Sequence, residues 1–290
     1  MDLYNFVRKE TGFDIKTNIE YTGMTDSTRP STLSFLDNPK FAGDLCNNKN
    51  IVSAFVRRKD ISFLPDDVEP IIAENPKAVF FELHNDYCRK YMKHEASIIS
   101  ESAMIHPSAF VASEGVIIGD NVIVGPNCSI LTGVKISNKT TIGPNCVLGA
   151  EGFHVFVDTQ GIKRMVIHDG WVIVGENVDM QASVTVDKGL MGRDTVIGDE
   201  CKLDNLVHIA HRVHLGKSIS LASGACVAGS VNVGDNVWVG PGSILSNRVS
   251  IGDEARILIG SVVIRNVKPK ENVSGNFAQE HKKHILSQCS

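Results

Sequence analysis

The chain is poor in aromatic residues, at 6% of its 290 positions, and has no excess of positive charge, with 29 Lys and Arg against 33 Asp and Glu. Without a basic stripe it has no means of holding a polyanionic duplex by counterion release, so nucleic acid is excluded as a partner. Long apolar runs are also missing. No stretch reaches the roughly 18 consecutive apolar residues of a spanning helix, and the opening MDLYNFVRKETGFDIK lacks the apolar core and cleavage site of a signal peptide. A cytoplasmic chain with no transmembrane segment is expected. Seven cysteines, an odd number without a CxxC pair, argue against a disulfide framework or a zinc ribbon and for reduced thiols.

What is abundant is a repeat. Aliphatic residues stand every six positions at Ile118, Val124, Ile130, Ile136, Ile142 and Leu148, and return at Val174, Met180 and Val186. They then run unbroken from Ile197 through Leu203, Ile209, Leu215, Leu221, Val227, Val233, Val239, Leu245 and Ile251 to Ile257. A period of six fits neither a helix nor a simple strand, but suits a short strand followed by a tight turn. Three such units close a triangular coil of 18 residues. Coils stack by parallel pairing, with one aliphatic per side pointing inward and small residues where the backbone turns. Cys128, Cys146 and Cys201 fall in one repeat slot and read as small buried core residues.

The repeat predicts a mainly β protein whose prism spans residues 105–267, with an excursion near 150–171. Residues 1–104 differ. TLSFL, IVSAFV and KAVFFEL read as buried strands between short helical segments, which makes a small α/β domain. Residues 268–290 read as a turn and one short helix over FAQEHKKHILSQC.

The densest chemical segment is Asp204 to His214. His208, His211 and His214 invite a zinc reading, but His208 and His214 occupy the same slot of successive hexapeptides and so lie on different faces of the prism, unable to converge on one ion. No metal is expected. His211 sits two residues past the inward Ile209, at a corner where side chains project outward, and Gly229 lies 18 residues on, in the next coil at about 4.8 Å. A glycine there leaves a backbone N–H open, so a base and an oxyanion donor face one another, as acyl transfer requires. The plainer alternative is a solvated corner histidine. Asp204, or another nearby carboxylate, is the candidate to orient the imidazole.

HIAH at 208–211, preceded by Leu203-Asp204-Asn205 and followed by Val227-Ala228-Gly229-Ser230, resembles the UDP-3-O-(3-hydroxyacyl)glucosamine N-acyltransferases of lipid A synthesis. GAEGFH at 149–154 with DGW at 169–171 is similar to the loop those enzymes place beside the catalytic cleft, and LSFLDNPKF at 33–41 to their uridine-binding stretch. The resemblance runs through nearly the whole chain. It implies a left-handed parallel β-helix, a handedness the spacing alone does not give, and a homotrimer with active sites between subunits. It further implies that His211 is the general base and Gly229 the oxyanion donor, and that Phe35, Asn38 and Phe41 hold the uracil. Asn205, Phe153 and His154 are the remaining acceptor-side candidates. The binding reading is the favoured one; Asn38-Pro39 is also readable as a strand-to-helix turn without any ligand.

Three departures stand out: Phe41 where the family usually has tyrosine, Arg248 where many members have a second histidine, and a shorter tail ending at Ser290. Arg248 and Arg265, the latter clustered with Lys268, Lys270, Lys282 and Lys283, are the donor-binding candidates. The co-substrate is an acyl-carrier-protein or coenzyme A thioester, with no permanently bound cofactor. The expected function is N-acylation of a nucleotide-linked, UDP-type amino sugar. Two alternatives stay open: an acetyl-CoA-dependent N-acetyltransferase acting on a UDP- or dTDP-amino sugar, and a β-helix scaffold without activity.

Overall fold

The structure, a computed structural model, describes residues 1–275. The expected terminal helix and its Lys282 and Lys283 lie outside the described residues. Within them no helix is long and apolar enough to cross a membrane.

Three parallel sheets of eight, nine and eight two-to-four-residue strands build the left-handed β-helix. Pairing joins residues 18 apart wherever the repeat is unbroken, as in His208 with Cys226 and Ile209 with Val227. The inward aliphatics of the six-residue register are buried in one continuous core from Val116 to Val267, which contains no aromatic ring. Each coil turns through a left-handed backbone position, filled by Asn at 121, 127, 145, 177 and 236. Asn tolerates that conformation because its short polar side chain bonds locally. Cys128, Cys146 and Cys201 are buried, each with its thiol against a carbonyl of a neighbouring coil, and burial raises all three thiol pKa values. Coil pairing begins at Ile98–Ile99, which pairs with the strand Val116–Ile118, so the prism starts ahead of residue 105.

The N-terminal unit carries α1 (Leu3–Glu10), β1 (Tyr21–Thr22), β2 (Thr32–Leu36), α2 (Ala42–Asn47), β3 (Ile51–Val56), β4 (Glu69–Ile72) and α3 (Pro76–Tyr91). Its four strands form one parallel sheet in sequence order. KAVFFEL, expected as a strand, lies inside α3. Asn75 caps that helix by accepting from the Ala78 N–H, and Pro76 occupies its first position, where a missing N–H costs nothing. These start signals outweigh the β-forming Val79-Phe80-Phe81 run, and the helix buries Phe80, Phe81, Leu83 and His84 on one side.

Two insertions of the prism enter the N-terminal core. The excursion after Ala150 is an antiparallel hairpin, Val155–Val157 with Lys163–Met165, and contributes Phe156 and Val166. The other, between Val186 and Thr195, contributes Leu190 and Met191. Asn85 of α3 fastens the excursion by donating to the Met165 carbonyl and accepting from the Ile167 N–H, both at 2.8 Å. A second link joins Arg212, 3% exposed, to Asp26 at 2.5 Å.

Candidate functional site

His211 and Gly229 meet as the 18-residue spacing predicts. A methyl group built on Gly229 would lie 2.8 Å from both Cε1 and Nε2 of the imidazole, so any side chain there would displace the ring. The corner is pinned by hydrogen bonds from Ser230 N–H to the His211 carbonyl (2.9 Å) and from Arg248 N–H to the Gly229 carbonyl (3.1 Å). The Gly229 N–H has no acceptor among the described residues.

The corner is not open to solvent in the way the repeat suggests. The excursion folds over it, and a Cβ on Gly152 would come within 2.9 Å of the His211 ring and 2.6 Å of His168 Nε2. Two histidines of the excursion flank His211: His154 at a centroid distance of 5.9 Å and His168 at 5.3 Å. Burial first, then the neighbouring His168, His154 and Arg212, push the His211 pKa down to about 3. This lies well below the ordinary histidine value near 6.5, because the excursion removes water from a ring already crowded by cationic or potentially cationic groups. His154 is lowered to about 4 by burial, His168, Lys77, Arg212 and Arg248.

Beneath this cluster lies an ion pair that the sequence reading missed. Glu151 accepts from the His168 N–H at 2.7 Å, meets His168 Nδ1 at 3.1 Å and binds Lys188 Nζ at 2.7 Å. Burial alone would raise the Glu151 pKa, but the His168 and Lys188 contacts override it and hold it near 2. Glu151 itself is partly exposed, and the buried charge of the pair is that of Lys188, sustained because the carboxylate neutralises it. Glu151, His168 and Lys188 leave no periodic trace: two sit in the excursion and the third in the second insertion, where the six-residue register is broken. Glu151 falls inside the GAEGFH stretch, and the adjacent Asp187-Lys188, two charges directly after an inward Val186, is the other available signal.

Asp204 and Asn205 lie elsewhere. They occupy the corner before strand His208–Ile209, where Asp204 accepts from Asn205 and Ser223 N–H, and Asn205 accepts from Ala182 N–H. They cross-link coils and make no hydrogen bond to His211. The orienting role expected of Asp204 is therefore not met, since the seven residues from Asp204 to His211 are more than one six-residue side of the coil and carry the chain around to a different corner.

On the N-terminal side a cavity of about 240 Å³ is lined by Phe35, Phe41, Phe81, Lys77, His154 and Arg248. It unites four of the sequence candidates from three separate segments. Arg248, expected at the donor end, opens instead into this aromatic cavity and into a polar one of about 610 Å³ beside it. Asn38 does not line it. Its side chain accepts from Lys40 N–H at 3.0 Å and caps the turn Pro39–Phe41, the simpler of its two readings, while Asp37 faces the cavity and is held by Arg57. Phe153 stands 84% exposed at the excursion's edge. Arg265 is exposed in the same corner column as His211, three 18-residue coils along, or about 14 Å away at about 4.8 Å per coil. His208 and His214 fall on different sheets, so they do not converge.

The chain is similar to known hexapeptide-repeat transferases and acyltransferases. The bacterial transferase hexapeptide repeat (six repeats) matches residues 115–150. The UDP-3-O-acylglucosamine N-acyltransferase of Coxiella burnetii (strain Dugway 5J108-111) is 36% identical over 102 residues, which are 35% of this chain and 30% of that protein. The enzyme of the same name from Chromohalobacter salexigens is 38% identical over 96 residues, 33% of this chain and 27% of that protein. The match thus spans less than a third of the length of these curated relatives. Among solved structures, a UDP-N-acetylglucosamine acyltransferase from Campylobacter jejuni superposes with a TM-score of 0.52 at 25% identity, covering 63% of this chain and 71% of that one.

Proposed function

We propose that this hexapeptide-repeat left-handed β-helix, related to the bacterial UDP-3-O-acylglucosamine N-acyltransferases, transfers an acyl group from a thioester to the amine of a UDP-linked amino sugar. The observation that carries the reading is the pairing of a half-buried imidazole with a glycine N–H that has no acceptor among the described residues, beside an aromatic cavity lined by His154.

The chemistry follows from those groups. The free amine attacks the thioester carbonyl, the new C–N bond forms, and the carbonyl oxygen takes up the negative charge. Gly229 N–H donates to that oxygen, a contribution of about 3 kcal/mol for a preorganised donor. His211 Nε2, on the edge facing Gly229, accepts the amine proton. The C–S bond then breaks, and the imidazolium returns the proton to the leaving thiolate. Burial and the neighbouring His168, His154 and Arg212 keep His211 neutral in the resting state, which leaves its lone pair free to accept the proton. The excursion over Gly152 keeps bulk water from the thioester.

The nucleobase lies between Phe35 and Phe41, and Lys77 and Arg248, one from each side of the cavity, receive the diphosphate. Asn38 remains a base-contact candidate only if the Pro39 turn rearranges on binding. Arg265, further along the corner column, meets the phosphates of coenzyme A or an acidic carrier protein. Ile244, Val262 and Ile264, all exposed beyond Gly229 on this side of the prism, are apolar surface for an acyl chain or for the second subunit of a homotrimer. The N-terminal α/β unit, which ends ahead of the first coil strand Ile98–Ile99, is the nucleotide unit, and the prism is the acyltransferase unit of a cytoplasmic enzyme.

The test is product mass. UDP- and dTDP-amino sugars are offered with acetyl-CoA, 3-hydroxybutyryl-CoA and long 3-hydroxyacyl-carrier protein. An N-acylated UDP-sugar is the expected product, and a rate rising with chain length would select the long donor. No acylated sugar with any pair would overturn the reading in favour of a scaffold.

A further inference from the structure

Two ring nitrogens in this site are buried without a hydrogen-bond partner, His168 Nε2 and His211 Nδ1. An unpaired buried polar atom is destabilising, so two in adjacent rings call for a reason. Their chemistry is complementary. His168 is fully buried, and its Nδ1 faces Glu151 Oε2 at 3.1 Å and the Val166 carbonyl at 3.0 Å, both of them acceptors. Nδ1 must therefore carry the proton, which leaves Nε2 as a lone-pair acceptor. His211 presents its Nε2 edge to Gly229, so for Nε2 to be the basic atom its proton must reside on Nδ1, and that N–H needs an acceptor. The rings stand 65° apart with centroids 5.3 Å from each other, a separation that a nitrogen-to-nitrogen bond of about 2.9 Å can span after a small ring rotation. Gly152 leaves the space for that rotation, since any side chain there would strike both rings.

We infer that Glu151 and His168 position His211: the carboxylate fixes the His168 tautomer, and His168 Nε2 accepts the His211 Nδ1–H, holding the lone pair of His211 Nε2 toward the substrate. This rests on the reading of His211 as the base. The proton on His211 Nδ1 stays in place throughout, so the pair acts by orientation and charge. Lys188 anchors the outer oxygen of Glu151, which keeps the carboxylate from turning away.

The test uses the full-length protein with the donor and acceptor pair found active. His168→Phe keeps a buried ring and removes both nitrogens. It should lower kcat by about tenfold to a hundredfold, with KM for the nucleotide sugar within twofold. His168→Gln returns an amide oxygen near the Nε2 position and should recover most of that loss. Glu151→Gln should fall between them. In ¹⁵N-histidine spectra the resting enzyme should show His211 as the Nδ1–H tautomer, and His168→Phe should lose that preference. Should His168→Phe disturb folding, Glu151→Gln and the tautomer of the wild-type His211 decide alone. Full kcat in the His168→Phe and Glu151→Gln variants, or an Nε2–H tautomer in the wild type, overturns the positioning role. If His211→Ala also remains active, the failure belongs to the base assignment and not to the positioning pair.

Discussion

The prism and the N-terminal unit are stabilised in opposite ways. The prism core is a column of aliphatics in which every coil templates the next, and it contains no aromatic ring. The N-terminal core is built on Phe6, Phe55, Phe80 and Phe81, and it takes Phe156, Val166, Leu190 and Met191 from the prism's two insertions. One region is self-similar along its length, and the other is complete only where the chain breaks that similarity. The cluster around His211 sits at this junction. Its proposed base belongs to the regular part and everything that surrounds the base to the irregular part.

The largest effect should follow from separating the two. Removing residues 1–95 strips the cover from Phe156, Val166, Leu190 and Met191, so activity should vanish and the remaining prism should aggregate on light scattering. The repeat alone suggests a prism that survives the deletion intact. A monodisperse truncated protein would mean that the borrowed core counts for little.

Within the intact protein, His211→Ala should lower kcat by about a hundredfold or more with the fold retained on circular dichroism, the loss expected of a general base. Gly229→Ala places a methyl group 2.8 Å from the same ring and should cost at least about tenfold. Turnover within a few-fold of wild type in His211→Ala would remove the imidazole from the chemistry.

A smaller effect should appear with acid. His211 and His154 have folded pKa values of about 3 and about 4, and full burial also lowers that of His84. An unfolded chain protonates these rings near 6.5 while the folded one does not, so their contribution is complete above about pH 6.5 and is lost as pH falls toward 4 and 3. The denaturant midpoint should decline from pH 7 to pH 5, and His154→Phe should flatten the decline. A midpoint rising over that interval would contradict the burial of the cluster.

The smallest effects should separate two neighbours in the N-terminal unit. Phe35→Ala should weaken UDP binding by calorimetry by about tenfold, from lost stacking of about 1.5 kcal/mol. Asn38→Ala should leave UDP affinity within about twofold and cost about 1 kcal/mol of stability, as removal of a cap does. Reversed magnitudes would place the base against Asn38.

By itself the sequence determined the prism, its inward register and the meeting of His211 with Gly229. A strict six-residue period fixes which residues stack 18 apart, whatever else the chain does. It also assigned Phe35, Phe41 and His154 to one side of the chemistry, through short contiguous motifs. Only the tertiary structure decided that α3 replaces the strand expected at KAVFFEL, that Asn38 caps a turn, that Asp204 faces another corner and that Arg248 opens onto the aromatic cavity. It alone brought Glu151, His168 and Lys188 beneath His211 and lowered the pKa of that ring. Those outcomes depend on insertions that leave the period, whose positions are set by contacts between residues far apart in the chain, as when Asn85 holds Met165 and Ile167. Local periodicity carries no record of such contacts, and burial and charge at a site are sums over all of them.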